Sequence, residues 1–488
     1  MIHPLAGLLV PELWWDARAG FGHLEALIAD ALELGVGGFV IRSGPAEAVA
    51  TLTAALRRDA PHPLLLAAEV EAGVGGTFIG GTALPPLGAL GALRDAEAFR
   101  RAAKLTAREL AALGLSWALA PVADLERHGA NPALGARAAG DDAQRVAEWL
   151  VDWIDACQAE GILACARGFP GAGRATVDPW ADEARDGVRI DTDAATLWAS
   201  DLVPHRGLTD SGVASVGVSA VAFPGLDRSG VPACHSSALV TTFLRGELRY
   251  DGLIVAEAAG APAARRGGGE GTSVVAAVQA GCDLVLAPRD LHDVLTALEA
   301  ANDAGTLDLE ALEASRTRRR FWADWAAPRP VREPTLDERL WARQVADLLV
   351  HPVRGVVPAL DAAPEVIVLD DAARGPWAPA AGAPFVQALR AMGLAPQVVD
   401  APSDAGCGPL VLALFGGPAA TGGRTAWRPE TLASIRALDE GARARQRRLV
   451  VVVFAPPALA AAVPEAAHVL CAWSDARAMQ DGAARRLA

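Results

Sequence analysis

The stretch DAQRVAEWLVDWIDACQAEGILACARGF, residues 142–169, decides the fold. Its first part carries apolar residues at the 3.6-residue spacing of an amphipathic helix. After Gly161 the pattern changes to ILACARGF (162–169), an apolar run without alternation. A parallel strand buried on both faces reads this way. Seven further runs of the same kind flank this unit: LAGLLVP (5–11), VGGFVIR (36–42), LLLAAE (64–69), WALAPVAD (117–124), ASVGVS (214–219), LIVAE (253–257) and DLVLAP (283–288). Amphipathic stretches such as AFRRAAKLTARELAALG (98–114) lie between them. Eight strand–helix units in roughly 300 residues match a (β/α)8 barrel in number and size. An open doubly wound sheet, the competing architecture, does not usually need eight units in series.

Past residue 303 the rhythm breaks. RTRRRFWADWAAPRPVREP (316–334) reads as a charged, proline-bearing connector and TLDERLWARQVADLLV (335–350) as a helix. Strand signals return in EVIVLD (365–370), LVLALF (410–415), LVVVVF (449–454) and HVLCAW (468–473), with helical patterns such as PETLASIRALDEGARARQ (429–446) between them. The expected organisation is a barrel over 1–303, a linker with helices over 304–354, and a smaller α/β domain over 355–488.

Composition narrows the function classes. The chain has 488 residues, 52% of them hydrophobic, enough for a large buried core. A net charge of -14 argues against a nucleic-acid partner, which needs a basic surface. No run of about 18 uncharged apolar residues exists, so no membrane span is expected. The opening MIHPLAGLLVPELWWDARAG lacks a basic n-region and an A-x-A site, and reads as a first strand rather than a signal peptide. The six cysteines form no C-x-x-C pair, which argues against a zinc knot or a disulfide framework and fits a reducing cytoplasm. Lys104 is the only lysine and sits mid-helix, which disfavours Schiff-base chemistry. No metal or other cofactor is expected.

Barrel chemistry sits at the C-terminal ends of the strands. Those ends supply Glu69, Asp124, Arg167, Gly168, Ala220 and Glu257, and the loops beyond supply Arg137, Asp178 and Trp180. Here the chain resembles glycoside hydrolase family 3, in its β-N-acetylhexosaminidase-like, two-domain form. APVADLERHGANPALGARAAGDD (120–142) is similar to the family's APV-x-D…NP…G-x-R-x-x-G-D-D, and GILACARGFPGAGRATVDPW (161–180) to its C-x-KHFPGHG-D-T-x-x-DSH. FPGLD (223–227) with VPACHSSALVTTFLRGELRYDGLIVAE (231–257) resembles YPALD…PATLS…LR-x-ELGFDGVVVSD. ALPPLGALGA (83–92), VVAAVQAGCDLVLAP (274–288) and VVVFAPPALAAAVPEAAHVLCAWSD (451–475) extend the likeness over almost the whole chain.

The resemblance implies retaining glycoside hydrolysis, with a carboxylate nucleophile and a separate acid. In the N-acetylglucosaminidase branch the nucleophile is the Asp of the strand-7 motif, and the acid is the His of the D-S-H loop, oriented by its Asp. Carried over, Asp178 holds the orienting position, but the histidine position holds Trp180, whose indole cannot exchange a proton near neutral pH. The nucleophile position holds Glu257, one methylene longer; a shift of about 1 Å can cost ~10²-fold. The sugar-gripping Lys-His pair is Arg167-Gly168, two further family histidines are Ala172 and Ala220, and the sugar-binding Asp after the third strand is Glu69. Arg137, Asp124 and Asp178 match unchanged.

Blander roles stand beside these. Asp124 is equally read as a carboxylate bonding nearby backbone amides. Glu69 and Glu257 either pair with Arg137 and Arg167 as a structural ion network or hold a ligand. Trp180 is either a plug or a stacking platform for a sugar. The run ARRGGGEG (264–271) invites an anion-site reading but lacks the Lys and Ser/Thr of a P-loop. Two function classes follow: a catalytically impaired homologue keeping a pocket for an amino sugar or glucoside, and an active glycosidase or phosphorylase using Glu257 with a non-standard acid. Asp182, Glu183 and Asp186 are the candidates for that acid.

Overall fold

The computed structural model describes the chain apart from residues 1–2, 128–130, 328–331, 358, 361–362, 372–380, 404–407, 417–424 and 465–467. It divides into two compact units: Met1–Thr82 with Asp95–Leu125 and Gly140–Thr335, and Ala83–Arg94 with Glu126–Ala139 and Leu336–Ala488.

The first unit is a closed ring of parallel strands. Its first strand is split at Pro11 into β1 (Leu9–Val10) and β2 (Glu12–Leu13), followed by β3 (Gly38–Ile41), β4 (Leu65–Ala68), β5 (Trp117–Ala118) and β6 (Cys165–Phe169). A side ribbon pairs β7 (Val188–Arg189) with β9 (Val221–Ala222). The ring continues through β8 (Ser215–Val218), β10 (Leu253–Ala256) and β11 (Leu284–Leu286). Pro11 has no N–H to give, yet its carbonyl accepts from Val40 while the Val10 carbonyl accepts from Ala287. The split strand thereby closes the ring, β2 on β3 and β1 on β11. Between β5 and β6 the ladder runs through the Trp117–Leu163 and Val122–Arg167 bridges.

All eight apolar runs form these strands. The first begins later than expected, because Ala6–Leu8 coil into a single 3-10 turn before Leu9. The connector expected at 316–334 is in its first half helical: Leu309–Trp325 is one helix, capped by the Asp308 carboxylate accepting from Glu310 and Ala311 N–H. Its Ala323 joins Val10, Val40, Leu65, Trp117, Cys165 and Val255 in the barrel-interior cluster, which is why a segment so rich in arginine folds against the ring. Residues 328–331 of that segment lie outside the described residues. The helix Ala143–Ala159 starts at Asp142, whose carboxylate accepts from Arg145 N–H, and buries Val146, Trp149, Leu150, Trp153, Ile154 and Cys157 on one stripe.

The second unit carries a six-stranded sheet in the order β12-β17-β16-β15-β13-β14. Its strands are β12 (His351–Arg354), β13 (Glu365–Asp370), β14 (Gln397–Val398), β15 (Leu410–Phe415), β16 (Leu449–Phe454) and β17 (His468–Cys471). All neighbours are parallel except β12, which runs antiparallel to β17. One face packs Leu412, Val451 and Val453 against Trp427 and Ile435. From the other, Phe385 meets Phe454 at 5.3 Å, so helices cover both faces. No helix among the described residues is long and apolar enough to cross a membrane.

Candidate active site

Strands of a parallel barrel all end on one face, so their terminal side chains converge. Glu69 follows β4, Arg167 lies in β6, and Glu257 follows β10. The structure brings these three together around the Arg167 guanidinium. Nη2 reaches Glu69 at 2.9 Å, Nη1 reaches Glu71 at 2.9 Å, and Nε reaches Glu257 at 3.3 Å. Each of the three nitrogens thus meets a different carboxylate. Glu69 also pairs with Arg42 at 2.6 Å, and Arg42 in turn binds Glu12. Four carboxylates therefore surround two guanidiniums. Burial alone would lower the pKa of Arg167, but Glu257, Glu69 and Glu71 outweigh it and hold the group well above its ordinary value. Arg42 is raised in the same way, burial being opposed by Glu69 and Glu12.

Glu257 does not extend freely from its strand. Its side chain folds over Gly217 of β8, where an added Cβ would stand 1.5 Å from Oε1. Only glycine leaves room for the longer acid there. Asp124 and Gly168 are matched similarly. Gly168 has φ +96, and a Cβ on it would lie 2.5 Å from the Asp124 carboxylate. That carboxylate accepts from Ala172 N–H at 2.6 Å, which supports its backbone-bonding role.

Asp178 is buried, and its Oδ1 accepts from the backbone N–H of Trp180 at 2.9 Å. Of the two roles read for Trp180, plug or stacking platform, its 39% exposure fits the platform better than a buried plug. The loop that carries it is docked: Ala263 N–H donates to the Pro179 carbonyl, and Arg266 lies against Gly187 while donating to the Gly230 carbonyl. Asp182, Glu183 and Asp186 are all exposed, and Asp182 pairs with Arg185 at 3.1 Å. Arg137 belongs to the second unit, where its Nη1 donates to the Ala133 carbonyl at 2.9 Å. Ala172 and Ala220 are buried, leaving no imidazole at those family positions.

Glu12, Arg42 and Glu71 are the residues that the sequence reading missed. Each ends or follows an apolar run, so scanning every run's C-terminal end for charge would have found them. Among the described residues, no group of three or more His, Cys, Asp or Glu is arranged to hold a metal ion. An apolar groove of about 1100 Å³ lies elsewhere, between the helices Glu25–Leu34 and Ala46–Asp59, and no family position lines it.

Comparison with known proteins decides the family. The sequence model of the glycosyl hydrolase family 3 N-terminal domain matches residues 27–319. The chain belongs to glycosyl hydrolase family 3. A β-hexosaminidase of Xanthomonas campestris pv. campestris is 37% identical over 272 residues, covering 54% of this chain and 79% of that protein. A β-N-acetylglucosaminidase/β-glucosidase of Cellulomonas fimi is 30% identical over 298 residues, covering 58% of this chain and 51% of that one. Among solved structures, a family 3 β-N-acetylglucosaminidase from Paenibacillus sp. str. FPU-7 superposes with TM-score 0.80 at 24% identity, covering 99% of this chain and 95% of its own. A β-glucoside phosphorylase superposes with TM-score 0.81 at 17% identity, covering 99% and 91%. At these identities the superpositions establish the fold, a (β/α)8 barrel followed by an α/β domain.

Proposed function

We propose that this family 3 protein binds a carbohydrate, an amino sugar or glucoside, at its barrel mouth and hydrolyses it poorly or not at all. One observation carries the proposal: Arg167 takes up Glu257, the residue at the nucleophile position, together with Glu69 and Glu71. A nucleophile must present a free lone pair to the anomeric carbon. Oε2 of Glu257 is taken up by Arg167 and Oε1 is buried over Gly217, so the carboxylate is turned into the ion network rather than toward a bound sugar. The acid is missing as well, since Trp180 occupies its position and Asp178 bonds that residue's own backbone. A positioned acid contributes ~10²–10⁴-fold, so its loss alone is severe. Arg137 is assigned to the ligand by the family pattern alone.

The second reading is a retaining glycosidase or phosphorylase with Glu257 as nucleophile. Its support is the 37% identity to a β-hexosaminidase and the carboxylate kept at the end of β10. Turnover of nitrophenyl β-N-acetylglucosaminide and β-glucoside separates the two. A nitrophenolate leaving group needs little protonation, so the assay weighs the nucleophile. Our reading expects rates on these substrates at least ~10²-fold below an ordinary enzyme from the nucleophile alone, and a larger deficit on natural disaccharides, which need the acid. It also expects the double change Glu257→Asp, Trp180→His to raise the rate. Turnover near ~1 per second by the unaltered protein would establish the second reading.

A further inference from the structure

We infer that Trp14 forms a sugar-stacking subsite at the barrel mouth, taking β-linked, gluco-configured pyranose rings; this rests on the carbohydrate-binding reading above. Trp14 immediately follows β2, so it stands at the C-terminal end of the first strand. Trp14 is 42% exposed although three contacts fix it or its support. The indole Nε1–H donates to Glu12 Oε2 at 3.0 Å. The Arg42 guanidinium lies 5.8 Å from the ring centroid, a cation–π distance. Arg42 is itself pinned, its Nε donating to Glu12 Oε1 at 2.5 Å and its Nη1 reaching Glu69 at 2.6 Å. Glu69 continues to Arg167 at 2.9 Å, and Arg167 to Glu257 at 3.3 Å. An unbroken series of polar contacts therefore joins the exposed indole to the residue at the family's nucleophile position.

Exposure alone does not single out Trp14. Trp198 is equally exposed and also carries a guanidinium over its ring, Arg206 at 4.4 Å, with Phe243 at 5.6 Å, but it belongs to the helix Ala194–Ala199 rather than to a strand end. The neighbouring Trp15 is turned away, packed edge-on against Phe21 at 5.1 Å. Among the described residues, Trp14 is the exposed tryptophan that follows a barrel strand and is joined to the mouth's charge network. A fixed aromatic face costs little entropy when a ligand arrives. A pyranose whose hydroxyls are all equatorial presents a flat layer of axial C–H groups that matches such a face. Its equatorial hydroxyls then meet the carboxylates and guanidiniums beside the indole, which accept and donate hydrogen bonds respectively.

The test is calorimetric titration of the full-length protein with chitobiose and cellobiose. It compares the unaltered chain with Trp14→Ala, Trp14→Phe and Trp198→Ala, each checked for an unchanged melting profile. Trp14→Ala is expected to weaken binding about tenfold, the loss of one aromatic contact. Trp14→Phe keeps a stacking face and is expected within about threefold of the unaltered protein, and Trp198→Ala is expected to bind as the unaltered protein does. Binding by the unaltered chain that survives Trp14→Ala within twofold overturns the subsite and leaves the carbohydrate reading standing. Absence of binding of either sugar by the unaltered chain overturns both.

Discussion

Replacing Arg167 with methionine keeps most of the side-chain volume and removes the charge on which the mouth depends. Arg167 is 13% exposed at its side chain, and its partners Glu69, Glu71 and Glu257 are 31%, 15% and 12% exposed. Removing one partner of a buried ion pair costs ~3–5 kcal/mol, because the other charge stays buried without compensation. Glu69 retains Arg42, so the lower end applies, about 3 kcal/mol at neutral pH. In a barrel of this size that corresponds to a fall of about 5–10 °C in its melting transition. Calorimetry measures the transition, and hydrogen exchange in β6, β8 and β10 assigns it to the barrel. The pH dependence gives a sharper test. In the variant, burial and mutual repulsion raise the carboxylate pKa values above those of the unfolded chain. The folded variant then binds more protons than the unfolded chain, so its stability rises as pH falls. The deficit relative to the unaltered protein should therefore shrink between pH 8 and pH 5. Arg167→Lys offers one point charge where three carboxylates need separate donors, and about half the deficit is expected. A deficit below about 1 kcal/mol, or one equal at pH 5 and pH 8, would refute the hub.

Gly217→Ala places a Cβ 1.5 Å from Glu257 Oε1, which must shift from its position over β8; a cost of about 1–3 kcal/mol is expected by denaturant titration. Asp124→Ala leaves Ala172 N–H without that carboxylate, with an expected loss of about 1–3 kcal/mol and faster proteolysis within 170–187. Burial lowers the pKa of His205 to about 3, against an opposing pull from Asp201. The unfolded chain takes up this proton below about pH 6.5 and the folded chain does not until about pH 3, so stability decreases as pH is lowered across that window, by ~1.4 kcal/mol per unit. His205→Leu, edge-on to Phe169, should flatten that acid limb in melting curves taken from pH 7 to pH 4.

Much of this architecture was legible because parallel barrel strands announce themselves as unbroken apolar runs. Boundaries were less so. Pro11 hides a strand that continues through Leu13, and the arginines of 316–320 hide a helix whose buried side is only Leu312, Ser315 and Ala323. At the site, strand polarity alone places Glu69, Arg167 and Glu257 on one face. The distribution of charge among them depends on separations of about 3 Å that spacing in sequence does not encode. Arg42, Glu12 and Glu71 complete the network from strand ends that carry no family motif in the resemblance. Trp180 was recognisable as the residue at the family's histidine position, while its exposure follows from the docking of its loop on Ala263 and Arg266, a tertiary arrangement.

Covalent trapping tests the central claim most directly. An activated fluorinated β-glycoside with a dinitrophenolate leaving group needs no acid, and in a retaining enzyme it leaves the sugar bound to the nucleophile as an ester. The full-length protein is incubated with gluco- and N-acetylglucosamine-configured reagents, then its intact mass and peptides are read. With Glu257 held by Arg167, the mass is expected to remain that of the unaltered chain. A stoichiometric sugar ester on the peptide containing Glu257 would contradict the account and establish a working nucleophile.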